Sequence, residues 1–313
     1  MKCAVTGAAG FIGSHLCEEL LRRGDQVIAL DCFVPYYPRT LKERNLLAFS
    51  AHPRCRFQTL DLRTDPLDDA LDGVEVVFHL AAMPGLVRSW TDLDLYWTCN
   101  VQATERLLDS LRRRGGSLRR FLYASTSSVY GRFSSGDESL PTKPASPYGV
   151  TKLAGENLCR AYSEAFGIQI VTLRYFSVYG PRQRPDMGYN RFIQALLQDE
   201  PVVVYGDGRQ VRGNTYVNDC VQATLAAVEG RPGEIYNVGG GETASVWDIL
   251  RQLEALAGRP VRVQQEPPRP GDQRYTMADT TKLRDHFGWE PQVTLAEGLA
   301  RQWEWQKTQR TRA

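Results

Sequence analysis

A glycine-spaced turn, Thr6-Gly7-Ala8-Ala9-Gly10-Phe11-Ile12-Gly13, joins a short apolar strand (Cys3-Ala4-Val5) to a helix that begins near Phe11. The G-x-x-G-x-x-G spacing restricts what such a chain can become. Gly7 permits the tight turn, Gly10 lets backbone approach a diphosphate, and Gly13 lets helix and strand pack closely. The helix N-terminus then points unpaired N–H groups and a partial positive charge at the phosphates. A second apolar strand over 26–30 follows and ends in Asp31, where a carboxylate can accept from both ribose hydroxyls of an adenosine. Gly7, Gly10, Phe11, Ile12, Gly13 and Asp31 are therefore expected to form a dinucleotide site.

The rest of the first half alternates between strand and helix patterns. Strands are predicted over 2–5, 26–30, 56–60, 74–80, 120–124 and 168–173, and helices over 11–23, 93–114 and 148–166. Val74, Val76, Val77, Phe78 and Leu80 suit a strand buried on both faces. This alternation predicts an α/β fold, a doubly wound parallel sheet of Rossmann type covered by helices. The dinucleotide-binding domain is placed at 1–177. Beyond Val178 the pattern loosens, with helices near 189–198 and 246–256, strands near 202–205 and 235–238, and a rigid loop at Pro267-Pro268-Arg269-Pro270-Gly271. Residues 178–313 are expected to form a smaller C-terminal substrate-binding lobe that closes a cleft, with some strands threaded back into the first lobe.

Composition narrows the function classes. The 313 residues carry a net charge of +2, so no electrostatic nucleic-acid or membrane partner is indicated. No apolar run is long enough to span a bilayer, and no signal or transit segment precedes the first strand. A cytoplasmic location is expected. The seven cysteines include no C-x-x-C pair, and the four histidines show no ligand spacing. Reduced thiols and no metal site follow from that pattern.

Tyr148-Gly149-Val150-Thr151-Lys152 puts a phenol and an ammonium on one helix face at i and i+4. A nearby ammonium favours the phenolate, and a phenol tuned toward neutrality can take a proton from a substrate hydroxyl. Upstream, Ser125-Thr126-Ser127-Ser128 follows a buried strand, at the sheet edge where ligands bind in open α/β folds.

These pieces are similar to the extended short-chain dehydrogenase/reductases of the nucleotide-sugar epimerase/dehydratase family. Further matching segments are Asp61-Leu62, His79-Leu80-Ala81-Ala82, Asn100, Arg174-Tyr175-Phe176, Tyr179-Gly180-Pro181, Arg212, Tyr216-Val217, Asn237-Val238-Gly239 and Arg269-Pro270-Gly271-Asp272. The resemblance implies NAD as cofactor, a UDP-sugar as substrate, Tyr148 as base, Thr126 on the reacting hydroxyl, and Lys152 on both the phenol and the nicotinamide ribose. It implies further cofactor contacts at Asp61, Leu62, Leu80, Ala81, Ala82, Asn100, Ser125 and Tyr175. Substrate contacts are implied at Pro84, Arg88, Ser127, Ser128, Ser177, Arg184, Arg191, Arg212, Arg269 and Asp272. Arg212 and Arg269 would neutralise the diphosphate, and Asp272 would hold the uridine ribose. Gly213 and Ser177 stand where the family often has Asp and Asn.

Family dehydratases carry Asp-Glu at Ser127-Ser128, and family decarboxylases usually carry Glu at Ser128. A serine cannot do a carboxylate's proton work near neutral pH. Epimerisation at C4 is the remaining expectation. The segments Tyr179–Met187 and Pro84–Trp90 resemble those of UDP-glucuronate 4-epimerases, and Arg184 would pair with a C6 carboxylate. UDP-glucose epimerisation, UDP-glucuronate decarboxylation and a non-catalytic NAD-binding regulator remain the alternatives. Asp31 repels a 2′-phosphate, so NAD is favoured over NADP, with Arg39, Lys42 and Arg44 placed beyond the Pro35–Pro38 turn. The helices over 93–114 and 148–166 resemble those forming a four-helix homodimer interface in the family.

Overall fold

The apolar runs of the first half form strands because each can bury branched or aromatic side chains on both faces. A computed structural model of the chain describes residues 1–115, 118–269 and 272–311. In chain order the first half holds β1 (Lys2–Thr6), α1 (Phe11–Arg22), β2 (Gln26–Asp31), α2 (Arg39–Leu46), β3 (Cys55–Thr59), β4 (Val76–His79), α3 (Leu93–Trp97), α4 (Ala103–Arg114), β5 (Arg120–Thr126), β6 (Phe133–Gly136), α5 (Pro147–Phe166) and β7 (Ile170–Tyr175). The second half holds β8 (Ser177–Tyr179), α6 (Gly188–Gln198), β9 (Val202–Tyr205), β10 (Val211–Tyr216), α7 (Val217–Ala226), β11 (Ile235–Val238), β12 (Thr243–Ser245), α8 (Val246–Ala257), β13 (Val263–Glu266), β14 (Tyr275–Ala278), α9 (Thr281–Phe287) and α10 (Leu295–Thr311).

Seven strands form one parallel sheet in the order β11-β7-β5-β4-β1-β2-β3. Alternate residues feed opposite faces. Cys3 and Val5 of β1 join the core with Leu16 and Leu20 of α1 and Cys220 and Val221 of α7. Ala4 faces the other way, toward Leu107, Leu108 and Leu111 of α4. The chain winds outward in both directions from the β1/β4 pair, so the crevice for a ligand opens beyond their carboxyl ends. The smaller sheet centres on β10, which pairs with β12, β14 and β8, while β14 also pairs with β6. β11 returns from the second half to the edge of the large sheet beside β7.

Thr6 and His79 face each other at the crevice. Thr104 donates to the Asn100 carbonyl at 2.8 Å, so its hydroxyl accepts from His79 Nε2–H at 2.9 Å. That leaves Nδ1 to accept from the Thr6 hydroxyl at 2.8 Å, and Thr6 in turn accepts from the Ala81 N–H at 3.1 Å. The neutral imidazole therefore ties the end of β1 to the loop after β4 and to the helix behind them. Burial lowers the His79 pKa to about 3, with the Lys152 ammonium adding to the effect.

Two departures from expectation bear on the site. β5 runs through Ser125 and Thr126, because its neighbour β7 continues to Arg174 and Tyr175 opposite them. The long helix over 93–114 is interrupted by a π-helical turn at Thr98–Gln102, which carries Asn100. Pro270 and Gly271 of the expected rigid loop lie outside the described residues.

His79 and His15, whose burial lowers its pKa to about 4, stay neutral in the fold but protonate near 6.5 once unfolded. Their stabilising contribution is complete above pH 6.5 and is lost as pH falls toward their folded values. Each is expected to remove up to ~1.4 kcal/mol of unfolding free energy per pH unit below 6.5. Urea denaturation at pH 7, 6 and 5 checks this, and a flat series would refute it.

Candidate active site

Two touching compartments share one cleft at the carboxyl edge of the large sheet. The first begins at the glycine turn. Gly7 has φ +71°, and a Cβ on it would come 2.9 Å from the Ala81 nitrogen. A Cβ on Gly13 would come 2.2 Å from the Gly7 carbonyl oxygen. The N-cap of α1 is Gly10, and among the described residues no side-chain cap occupies its first-turn N–H groups, which remain for a ligand. Asp31 is buried and held in place, accepting from Ala9 N at 3.1 Å and Phe33 N at 2.8 Å. Lys42 reaches back to 3.6 Å from Asp31 Oδ1. It is therefore part of this wall rather than remote beyond the Pro35–Pro38 turn, because α2 folds back over the loop. Asp61, Leu62, Leu80, Ala81 and Ala82 complete the wall, with Asp61 bound to Arg63 at 2.7 Å.

The compartment ends at α5, which Ser146 caps through its hydroxyl on Gly149 N. Tyr148 and Lys152 lie on successive turns, and both line the compartment with Ser125 and Tyr175. Lys152 is 2% exposed and rests 4.2 Å over the Tyr123 ring. Its ammonium has no hydrogen-bond acceptor among the described residues, as expected of a group kept for a ribose. Burial lowers its pKa to about 8, against the pull of Cys159 and Glu156. Glu156, one turn further, pairs with Arg174 at 2.8 Å and accepts from Ser125 at 2.5 Å. The glycine cradle, the fixed acid and the unpartnered ammonium together fit an extended dinucleotide.

Tyr148 corrects the expectation of a phenol already lowered by Lys152. Loss of solvent pushes its pKa up, and the groups pulling it down are the Thr126 hydroxyl and the Arg184 guanidinium. Tyr96 packs edge-on against Tyr148 at 6.2 Å, and its hydroxyl is shared between the Pro84 and Gly85 carbonyls.

The second compartment is lined by Pro84, Thr126, Ser127, Ser128, Ser177, Arg184, Arg191, Arg212, Arg269 and Asp272. Arg212 pairs with Asp272 at 2.8 Å. Arg269 lies 3.4 Å over the Tyr205 ring, and Arg191 lies 5.6 Å from it. Arg184 lines both compartments and donates from Nε and Nη2 to the two oxygens of Asp186, each at 3.0 Å.

Two expected contacts lie elsewhere. Arg88 is drawn off the cleft by Asp92 at 2.8 Å and by the Pro35 carbonyl at 3.1 Å. Asn100 stands behind the cleft, where its amide accepts from Met83 N at 2.6 Å and donates to Met83 O and to Thr151. It can influence a cofactor only through that loop. Conversely, Tyr36, Asp186 and Tyr205 line the cleft without a sequence signal that singled them out.

Residues 3–239 match the Epimerase family, described as the NAD dependent epimerase/dehydratase family. Over 305 residues the chain is 45% identical to the "Uncharacterized UDP-glucose epimerase YtcB" of Bacillus subtilis, covering 96% of each chain. It is 34% identical to a UDP-glucuronate 4-epimerase of Thermodesulfobacterium geofontis, covering 97% of this chain and 95% of that one. Its fold superposes with a TM-score of 0.95 on UDP-glucuronic acid 4-epimerase from Bacillus cereus in complex with UDP-glucuronic acid and NAD, at 43% identity over 99% of this chain and 100% of that one.

Gly13→Ala is expected to force the Gly7 carbonyl aside and to cost about 1–3 kcal/mol in overpacking. The variant should purify without dinucleotide, and nucleotide extraction with quantification checks this. Full retention would refute the close-approach role.

Proposed function

The chain belongs to the NAD dependent epimerase/dehydratase family, and on that premise we propose that it is a UDP-glucuronate 4-epimerase, interconverting UDP-glucuronate and UDP-galacturonate. The observation that carries this reading is Arg184, a guanidinium on the wall common to both compartments and beside Tyr148. A uronate offers it a carboxylate to pair with, whereas a hexose offers only a hydroxymethyl group.

The glycine turn and the α1 N-terminus would hold the NAD diphosphate, Asp31 the adenosine ribose, and Lys152 the nicotinamide ribose. The cofactor held there would supply reversible hydride acceptance at C4, and its positive charge would favour ionisation of a phenol that burial has pushed up. The proton work belongs to this chain. Thr126 orients the C4 hydroxyl, and the Tyr148 oxygen removes and later restores its proton. Arg212 and Arg269 hold the diphosphate and Asp272 the uridine ribose, so the nucleotide stays fixed while the sugar turns over. Ser127 and Ser128 supply no carboxylate for loss of water. Oxidation at C4 makes the uronate a β-keto acid. Until the keto sugar turns over, holding its carboxylate on Arg184 keeps the bond to C5 out of line with the carbonyl π system and retains CO₂.

A neutral hexose is the second reading, favoured because Asp186 already satisfies Arg184. We also propose a homodimer through the helical stretch from α3 to α4 and through α5. Val87, Trp90, Leu93, Trp97, Val150 and Phe166, on these helices and the turn before α3, are each about half exposed. The seven free cysteines suit a reducing cytoplasm.

Incubation with UDP-glucuronate and UDP-glucose separately, with products identified by NMR, distinguishes the readings. Tyr148→Phe should slow interconversion at least ~100-fold. Arg184→Ala should raise the KM for UDP-glucuronate about tenfold or more and release CO₂. Unchanged values for both would remove Arg184 from this role. Trp97→Glu should convert the dimer to a monomer by light scattering.

A further inference from the structure

We infer that Asp186 is a resting counter-ion for Arg184, an internal carboxylate that the sugar's C6 carboxylate must displace, and that this exchange tempers the affinity for a uronate and eases the sugar's release to turn over. The inference rests on the reading of Arg184 given above. Its basis is the geometry of one guanidinium edge. Nε and Nη2 of Arg184 each reach an Asp186 oxygen at 3.0 Å, so the side-on edge of the guanidinium is taken. Two carboxylates cannot share that edge without strong like-charge repulsion. An incoming uronate therefore exchanges with Asp186, whereas a neutral sugar leaves the pair intact.

Three features suit the pair to exchange. Its side chains are 20% and 34% exposed, so solvent screens it and it is weaker than a fully buried pair. Asp186 itself lines the sugar compartment. Across the cleft, the Tyr36 hydroxyl donates to Asp186 Oδ2 at 3.2 Å, giving the carboxylate a partner when it leaves Arg184.

The backbone beneath need not move. Gln183 is buried and donates to the Val178 carbonyl while accepting from Asn190 N and Gln302. Arg182, at φ +65°, pairs with Glu18 of α1 at 2.8 Å. Met187 N closes a turn on the Arg184 carbonyl at 3.1 Å. Only the Asp186 side chain has to swing aside for the sugar's carboxylate.

The exchange serves the turnover of the sugar. Between the two hydride transfers the uronate must leave Arg184, and a guanidinium left in the cleft without an anion would resist that step. Asp186 returns to it and lowers the barrier.

The test is Asp186→Asn, an isosteric change on a loop anchored by its neighbours, measured on NAD-loaded protein. The Kd for UDP-glucuronate is expected to fall about three- to fivefold, the kcat for its epimerisation to fall by a similar factor, and the Kd for UDP-glucose to stay within about twofold. In an Arg184→Gln background the asparagine should change nothing, since the two residues act as a pair. An unchanged or weaker Kd for UDP-glucuronate, or an equal gain for UDP-glucose, overturns the inference. If the wild-type chain binds UDP-glucuronate without producing UDP-galacturonate, the function proposed above fails, while the binding comparison still decides the role of Asp186.

Discussion

Helix α1 can begin where it does only because Gly13 has no side chain. With Cβ absent, the first turn settles against the Gly7 carbonyl, and the free N–H groups at its start come to the crevice between β1 and β4. The same contact sets the distance of α1 from the sheet and so the packing of Leu16 and Leu20 into the core. The Thr6–His79–Thr104 hydrogen bonds then fix the loop after β4 against the turn. The cofactor wall is thus built from backbone held on both sides, and a rigid backbone is what positions a diphosphate.

The reacting end depends on a different kind of constraint, the burial of charge. Tyr148, Lys152 and Glu156 occupy successive turns of one helix face, and Glu156 is locked to Arg174 from β7 and to Ser125 from β5. A carboxylate so fixed opposes the desolvation that would strip the proton from Lys152. The phenol has no such help in the protein alone. Its neighbours Thr126 and Arg184 lower it, yet loss of solvent raises it more. In the protein alone, burial therefore opposes its ionisation.

Local patterns were legible where they arise from short-range physics. The apolar strands, the glycine turn, Asp31 and the Tyr148/Lys152 spacing are all readable because period, turn geometry and i to i+4 contact involve only nearby residues. Arg88 turns away from the expected substrate contact because its partners are Asp92 and the Pro35 carbonyl, and the second of these is brought near only by folding. Lys42 was misplaced for the same reason, since α2 is short, polar and returned to Asp31 by the tertiary path of its loop. Strand β5 gained Ser125 and Thr126 because pairing with β7 outweighs the turn tendency of hydroxyl residues.

By itself the sequence determined that this chain makes a parallel sheet with a dinucleotide turn and carries a phenol–ammonium pair on one helix face. Periodicity and glycine spacing are local and leave few alternatives. Only the tertiary structure decided which arginines face the cleft, which acids already occupy them, and how far burial moves the phenol. Those outcomes depend on contacts between residues far apart in the chain, such as Tyr36 with Asp186, and on a solvent exclusion that no window of sequence contains.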